Sequence, residues 1–245
     1  MSVSPDAGNE PLPIAGSAVP DAGCEEAETW IELNRVHFPV TTLGPGRRIG
    51  LWTQGCSIRC AGCVSRDTWE ARPEMRVRIA ELVERMGPWL AQADGVTVSG
   101  GEPLDQPDAL RCLLTALRHR FSGDLLVYTG RGSEQVFGRH AWIANAADVV
   151  ISEPYLPSAG ASRIWRGSDN QRVHLLTSLG RQRFGEDADA RNWQMQRTLD
   201  LYVDDGEVWM AGIPRAGDLQ RLRRALRMRG YEAVGSDQSP PTIRA

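Results

Sequence analysis

Cys56, Cys60 and Cys63 are three of the chain's five cysteines and lie in one short loop between Leu51 and Trp69. Thiolates this close meet on one soft centre, because sulfur ligands select zinc or an iron–sulfur cluster over hard cations. The loop must therefore fold back on itself, and the rest of the chain has to support it. A closed structural zinc site takes four ligands, and no histidine or acidic residue lies between these cysteines. Two metal readings follow. A four-iron cluster held by three thiolates leaves one iron open to a non-protein ligand, and such cofactors are one source of radical chemistry. Alternatively, Cys24, Cys112 or His37 completes a zinc loop from afar. Unligated buried thiols are a third, blander reading.

The 245-residue chain is 41% hydrophobic and 24% charged, with no uninterrupted apolar run long enough to cross a bilayer. Its first residues lack a basic region followed by an apolar core, so a secretory signal is not expected and the cytoplasm is. Five cysteines, clustered and odd in number, argue against a disulfide framework and for reduced thiols. On this reading Cys24 is an incidental surface thiol and Cys112 an inert helix thiol. A formal charge of −3 gives no basic excess to recommend nucleic acid as a partner.

Residues 1–28, rich in Pro, Ala, Gly and acidic groups, read as a disordered leader. From Trp30 the pattern becomes apolar: Ile31, Leu33, Val36 and Phe38, a turn at Leu43 to Gly46, then Ile49 to Thr53. Two strands joined by a turn are expected, the second leading straight into the cysteine loop. Ile79, Leu82, Val83 and Met86 then repeat at helical spacing, with Gly87-Pro88 expected to break the helix. Gly95 to Ser99 reads as a buried strand ending in Gly100-Gly101-Glu102-Pro103. Leu110, Leu113, Leu114 and Leu117 mark a helix, Leu125 to Thr129 a strand, Val136 to Ile143 a helix and Asp148 to Ser152 a strand. Alternating strands and helices imply a parallel sheet with right-handed crossovers, whose ligands sit at the carboxyl ends of the strands. That rule places Gly55-Cys56, the Gly-Gly-Glu segment, Thr129-Gly130 and Ser152-Glu153-Pro154 on one rim.

Further on, Trp165 to Arg172 gathers Arg, Ser, Asn and Gln, the donors and acceptors that fix a carboxylate, ribose or adenine edge. A strand at Val173 to Leu176 and a polar stretch from Arg181 to Arg197 follow. Leu199 to Val203 and Glu207 to Ala211 flank Asp205-Gly206 and read as a hairpin. A last helix turns Leu219, Leu222 and Leu226 inward and Arg221, Arg223, Arg224, Arg227 and Arg229 outward, ending at Gly230. The arginine face is solvated surface or a docking face.

Cys-x-x-x-Cys-x-x-Cys resembles the cluster loop of the radical S-adenosylmethionine (SAM) superfamily. Gln54-Gly55-Cys56, Cys60 to Cys63, Thr68-Trp69 and Trp165-Arg166-Gly167-Ser168-x-Asn170-Gln171 are similar to the activating proteins of anaerobic ribonucleotide reductase. The resemblance spans about Gly50 to Leu176. It implies an α/β fold, a partial (β/α) barrel over residues 29–180, with an α+β C-terminal extension over 181–245. It implies that Cys56, Cys60 and Cys63 hold a [4Fe-4S] cluster, with no other catalytic side chain. It also implies that Gly62, Val64, Gly100, Gly101, Glu102, Pro103, Thr129, Arg166, Ser168, Asn170 and Gln171 contact SAM. The expected function is reductive cleavage of SAM to a 5′-deoxyadenosyl radical that activates a glycyl radical enzyme, fed by a flavodoxin-like donor. The alternative is a radical SAM enzyme acting on a small molecule or peptide. Two departures bear on the substrate: the C-terminal extension, and Ser152-Glu153-Pro154 where the relatives tend to carry Asp-Gly.

Overall fold

The computed structural model describes Cys24 and residues 26–192, 198–204, 207–215 and 217–231. Trp30–Val40 form strand β1 and Arg48–Thr53 strand β2, paired antiparallel across the glycine-proline turn. Arg76–Arg78 form β3, which pairs with the outer side of β1. So short a run carries no readable period, and the sequence reading missed it. Ile79–Leu90 form helix α1. It does not break at Gly87-Pro88 but runs through Pro88, because a proline in the last turn costs only one bond to the residue four back.

The middle of the chain alternates as expected. Gly95–Gly100 form β4, Pro107–Arg120 α2, Asp124–Tyr128 β5, Ser133–Arg139 α3, Ile143–Ala146 α4 and Val149–Ser152 β6. Arg172–Leu175 form β7 and Ser178–Phe184 α5, the latter running into the stretch read as polar from Arg181. These strands make a seven-stranded sheet in the order β3-β1-β2-β4-β5-β6-β7. The run β2-β4-β5-β6 is parallel, as predicted, while β1, β3 and β7 are antiparallel additions at its flanks.

Both faces of the parallel strands are buried, which is why they read as near-continuous apolar runs. Alternate residues take opposite sides. Ile49, Leu51, Val96, Val98, Leu125, Val127 and Val150 pack with α1 and α2 in the main core. Leu126, Val149 and Ile151 face the other way, against Trp165 and Phe184. At the amino ends of the strands, fully buried Arg48 pairs with fully buried Asp124 at 2.5 Å and donates to Thr97 Oγ1 at 2.6 Å, tying β2, β4 and β5 together.

Cys24 and Cys112 are joined by a disulfide, with Cα atoms 5.3 Å apart. This corrects the reading of both as isolated thiols, and it removes both as ligands for a zinc loop. Their 88-residue separation hid the pairing. Glu26 is also fixed, by an ion pair with Arg120 and a backbone bond to Ala80, so the expected leader does not extend to residue 28. Its residues 1–23 and 25 lie outside those described.

The C-terminal extension holds the expected hairpin, β8 (Leu199–Asp204) against β9 (Glu207–Gly212), and helix α6 (Asp218–Arg227). Its Asp205-Gly206 turn lies outside the described residues. The hairpin docks on the sheet face away from α1 and α2, where Trp209 meets Trp52 edge-on with ring centres 4.9 Å apart and Tyr202 lies tilted against His37 at 3.9 Å. Asp200 accepts from the Thr41 amide at 2.7 Å. His37 packs under this hairpin, against Tyr202 and Trp209. In α6 the expected split fails in one place. Arg223 is buried, whereas Leu219, Leu222 and Leu226 are only half-buried.

Candidate metal centre

The cysteine loop leaves β2 and is pinned at its neck. The Gly55 and Cys56 amides donate to the carbonyls of Thr68 and Trp69 at 2.8 and 2.9 Å. Buried Gln54 closes the neck from beneath, its amide group donating to the Asp67 and Glu70 carbonyls and accepting from Asn34 at 2.9 Å. Thr68 is buried and donates to the Ser65 carbonyl at 2.7 Å. These are the flanking motif residues of the sequence, and their work is to close the loop.

All three cysteines are free and half-buried. Burial pushes the Cys56 and Cys63 thiols up. The opposing pull comes from the Arg59 and Ile58 amides on Cys56, and from the Ser65 amide and Trp69 side chain on Cys63. Among the described residues, no three His, Cys, Asp or Glu side chains converge on a single ion. The donor set suits a cluster better than one zinc: three sulfurs on one loop, no nitrogen or oxygen ligand between them, and each thiolate free to take its own iron.

The glycines at the end of β4, Gly100 and Gly101, are shaped by this loop. Gly101 donates to the Thr53 carbonyl at 2.8 Å and Glu102 to the Gly55 carbonyl at 2.9 Å. A β-carbon on Gly101 would sit on the Gly55 carbonyl oxygen, and one on Gly100, where φ is +101°, would meet the Thr53 amide at 2.5 Å. Glycine there permits close approach of backbone to backbone.

Glu102 turns into the rim and is buried. Its carboxylate accepts from Leu104 N–H at 2.9 Å, Thr129 Oγ1 at 2.7 Å and Gly130 N–H at 2.8 Å. Burial raises its pKa despite these donors. Pro103 is buried beside it. The rim thus joins the ends of β2, β4 and β5, and the Glu153 amide extends it to β6 by donating to the Arg131 carbonyl at 2.9 Å. Glu153 holds φ at +81° without being glycine, a local strain of the kind stored at functional rims.

The Trp165 to Gln171 segment reaches the same rim. Asn170 Nδ2 donates to the Pro154 carbonyl at 2.8 Å and Gln171 Nε2 to the Glu153 carbonyl at 3.0 Å. Gln171 Oε1 accepts from Gly167 N–H, and Ser168 Oγ from Leu156 N–H at 3.0 Å. Arg166 is buried away, bonded to Asp189 Oδ1 at 2.9 Å and to the Gln171 carbonyl. Within this segment two buried polar atoms keep no hydrogen-bond partner: Asn170 Oδ1 and Arg166 Nε. Gly62 sits at φ +77° with Tyr155 and Pro157 facing it, and Val64 follows Cys63 in the half-buried part of the loop. Sequence reasoning missed Asp105, Arg131 and Asp189, which no local pattern connects to the motifs.

The 4Fe-4S single cluster domain family matches residues 42–174, just over half of the chain. The anaerobic ribonucleoside-triphosphate reductase-activating protein of Enterobacteria phage T4 is 31% identical over 135 residues, which cover 53% of this chain and 85% of that one. This chain belongs to the radical SAM family of glycyl-radical-enzyme activases. The anaerobic ribonucleoside-triphosphate reductase-activating protein of Escherichia coli K12 is 29% identical over 149 residues, 57% of this chain and 96% of that one. A pyruvate formate-lyase-activating enzyme of Staphylococcus aureus USA300 is 43% identical over 91 residues, 35% of this chain and 36% of that one. As a radical SAM enzyme the chain has a [4Fe-4S] cluster and SAM as its cofactors, and the three free thiols with an orphaned acceptor on the adjoining rim fit both. No helix among the described residues is long and apolar enough to cross a membrane.

Proposed function

We propose that this chain activates a glycyl radical enzyme, an anaerobic ribonucleotide reductase being the first candidate, in the cytoplasm and with an electron from a flavodoxin-like donor. The observation that carries this reading is the match to the T4 activating protein across 85% of its length. When bound, the cluster and SAM supply one-electron cleavage of the sulfonium and a 5′-deoxyadenosyl radical that abstracts hydrogen from a glycine of the partner.

The chain's own residues hold and orient. Cys56, Cys60 and Cys63 ligate the cluster. Gly100 and Gly101 let the rim close on the cysteine loop, and Glu102, fixed by Thr129 and Gly130, presents its carboxylate edge and Pro103 to the SAM amino group. Asn170 Oδ1 offers its unmet acceptor to SAM, while Ser168, Gln171 and Arg166 shape the segment that carries it. Gly62 and Val64 line the cysteine side. In this reading no side chain transfers a proton. In this reading the sheet is the wall of a partial barrel whose rim admits a partner's loop.

A second reading, a radical SAM enzyme acting on a small molecule or peptide, draws on the hairpin of β8 and β9 lying over the sheet face at Trp52. One experiment separates them. Anaerobically reconstituted chain is mixed with dithionite, SAM and a purified anaerobic ribonucleotide reductase; 5′-deoxyadenosine is quantified and the glycyl radical read by electron paramagnetic resonance. Expected are deoxyadenosine and a radical doublet on the reductase. Deoxyadenosine without any protein radical would favour the second reading, and none at all would overturn both.

A further inference from the structure

Asp105 binds two other rim segments at once. Its carboxylate accepts from the Ser57 amide at 2.6 Å, the Ser57 hydroxyl at 2.8 Å and Arg131 Nη2 at 2.5 Å, and Arg131 Nη2 also donates to Ser57 Oγ at 3.0 Å. Ser57 directly follows Cys56, Asp105 closes the Gly-Gly-Glu-Pro-Leu-Asp run after β4, and Arg131 follows Thr129-Gly130 after β5. The Asp105 and Arg131 side chains are only 21% and 22% exposed. The cysteine loop is thus fastened on its far side from Gln54 by an ion pair one residue from a cluster ligand.

We propose that Asp105 and Arg131 are paired positioning residues of the cluster. They clamp Ser57, and through it Cys56, and they place two opposite charges beside the cluster that cancel. This inference rests on the cluster the family carries and is independent of which substrate is activated. The physical reason is that an iron–sulfur potential responds to nearby net charge and hydrogen bonding, and partial burial weakens the screening of both charges. With Asp105 neutralised, Arg131 stays as a bare cation and favours the reduced, more negative cluster. With Arg131 neutralised, the bare Asp105 disfavours it.

The test is a redox titration of the one-electron cluster couple in the full chain, followed by electron paramagnetic resonance, with iron and sulfide quantified alongside. Asp105→Asn is expected to shift the midpoint upward, Arg131→Gln downward, and the double variant to return it close to the unsubstituted value. A merely structural clamp would not move the two single variants in opposite directions. Shifts of one sign, or none in either, overturn the proposal. If a single variant fails to assemble its cluster, the double variant decides: recovered iron supports charge pairing, and continued loss overturns it. An unsubstituted chain that binds no iron would overturn both this inference and the cluster it rests on.

Discussion

The amide of Glu102 donates to the carbonyl of Gly55 at 2.9 Å, so the end of β4 is bonded directly to the residue that opens the cysteine loop. The same contact leaves no space for a side chain on Gly101. Gly101→Ala is therefore expected to lower stability by ~1–3 kcal/mol, the usual cost of overpacking, and to cut iron content after reconstitution. Urea unfolding together with iron analysis checks this; a variant matching the unsubstituted chain in both would show that the neck yields.

In the proposed ligand set, removing one thiolate leaves the cluster with two. Cys60→Ser is expected to lose iron and sulfide and to yield no 5′-deoxyadenosine with SAM and dithionite, while the fold persists because Cys60 is not part of the core. Circular dichroism and metal analysis separate the two effects. An active Cys60→Ser protein would remove this residue from the ligand set.

At the opposite end of the strands, the Arg48 and Asp124 pair is wholly buried. Arg48→Met leaves the buried Asp124 carboxylate with only the longer ion pair to Arg183 at 3.5 Å and is expected to cost about 3 kcal/mol, whereas combining it with Asp124→Leu should recover most of that loss. Thermal unfolding of the three proteins reads the comparison. Additive losses would contradict it.

The C-terminal hairpin is held to the sheet by rings: Trp209 against Trp52 and His37, its cross-strand neighbour Tyr202 against His37, and Arg35 over the Trp209 face. Trp209→Ala is expected to loosen the hairpin while leaving the sheet folded, at about 0.5–1.5 kcal/mol per aromatic pair lost. Limited proteolysis should then cut after residue 198 faster than in the unsubstituted chain, with thermal unfolding of the core little changed.

His174 makes a 2.8 Å hydrogen bond with Ser152 Oγ, and burial holds its pKa below the ordinary 6.5. A base whose folded value is depressed stabilises the fold above the unfolded value and loses that contribution as pH falls through 6.5 toward the folded value. Stability should thus drop between about pH 7.5 and about pH 5, in the range where histidine charges. His174→Gln should flatten that part of the profile in urea titrations at several pH values. An unchanged slope would assign the drop to other groups.

The cysteine spacing, the strand-to-glycine junction at Gly100-Gly101 and the alternating strands were all legible, because each is written in neighbouring residues and a short-range period. β3 was not, since three residues carry no period, and α5 hid in a polar stretch where only Gly180 and Phe184 turn inward. Cys24 and Cys112 could not be paired from sequence, as two lone cysteines carry no sign of distance.

The sequence by itself determined the chemistry of the centre: three thiolates on one loop, supplied by a strand and followed by a Gly-Gly-Glu rim. Only the tertiary structure decided what holds that centre in place. Gln54 beneath the loop, Asp105 and Arg131 across it, Asp189 behind Arg166 and the hairpin over Trp52 all act through contacts between residues far apart in the chain. Such contacts are set by how strands and helices pack, and packing geometry leaves no local signature in the residues that share it.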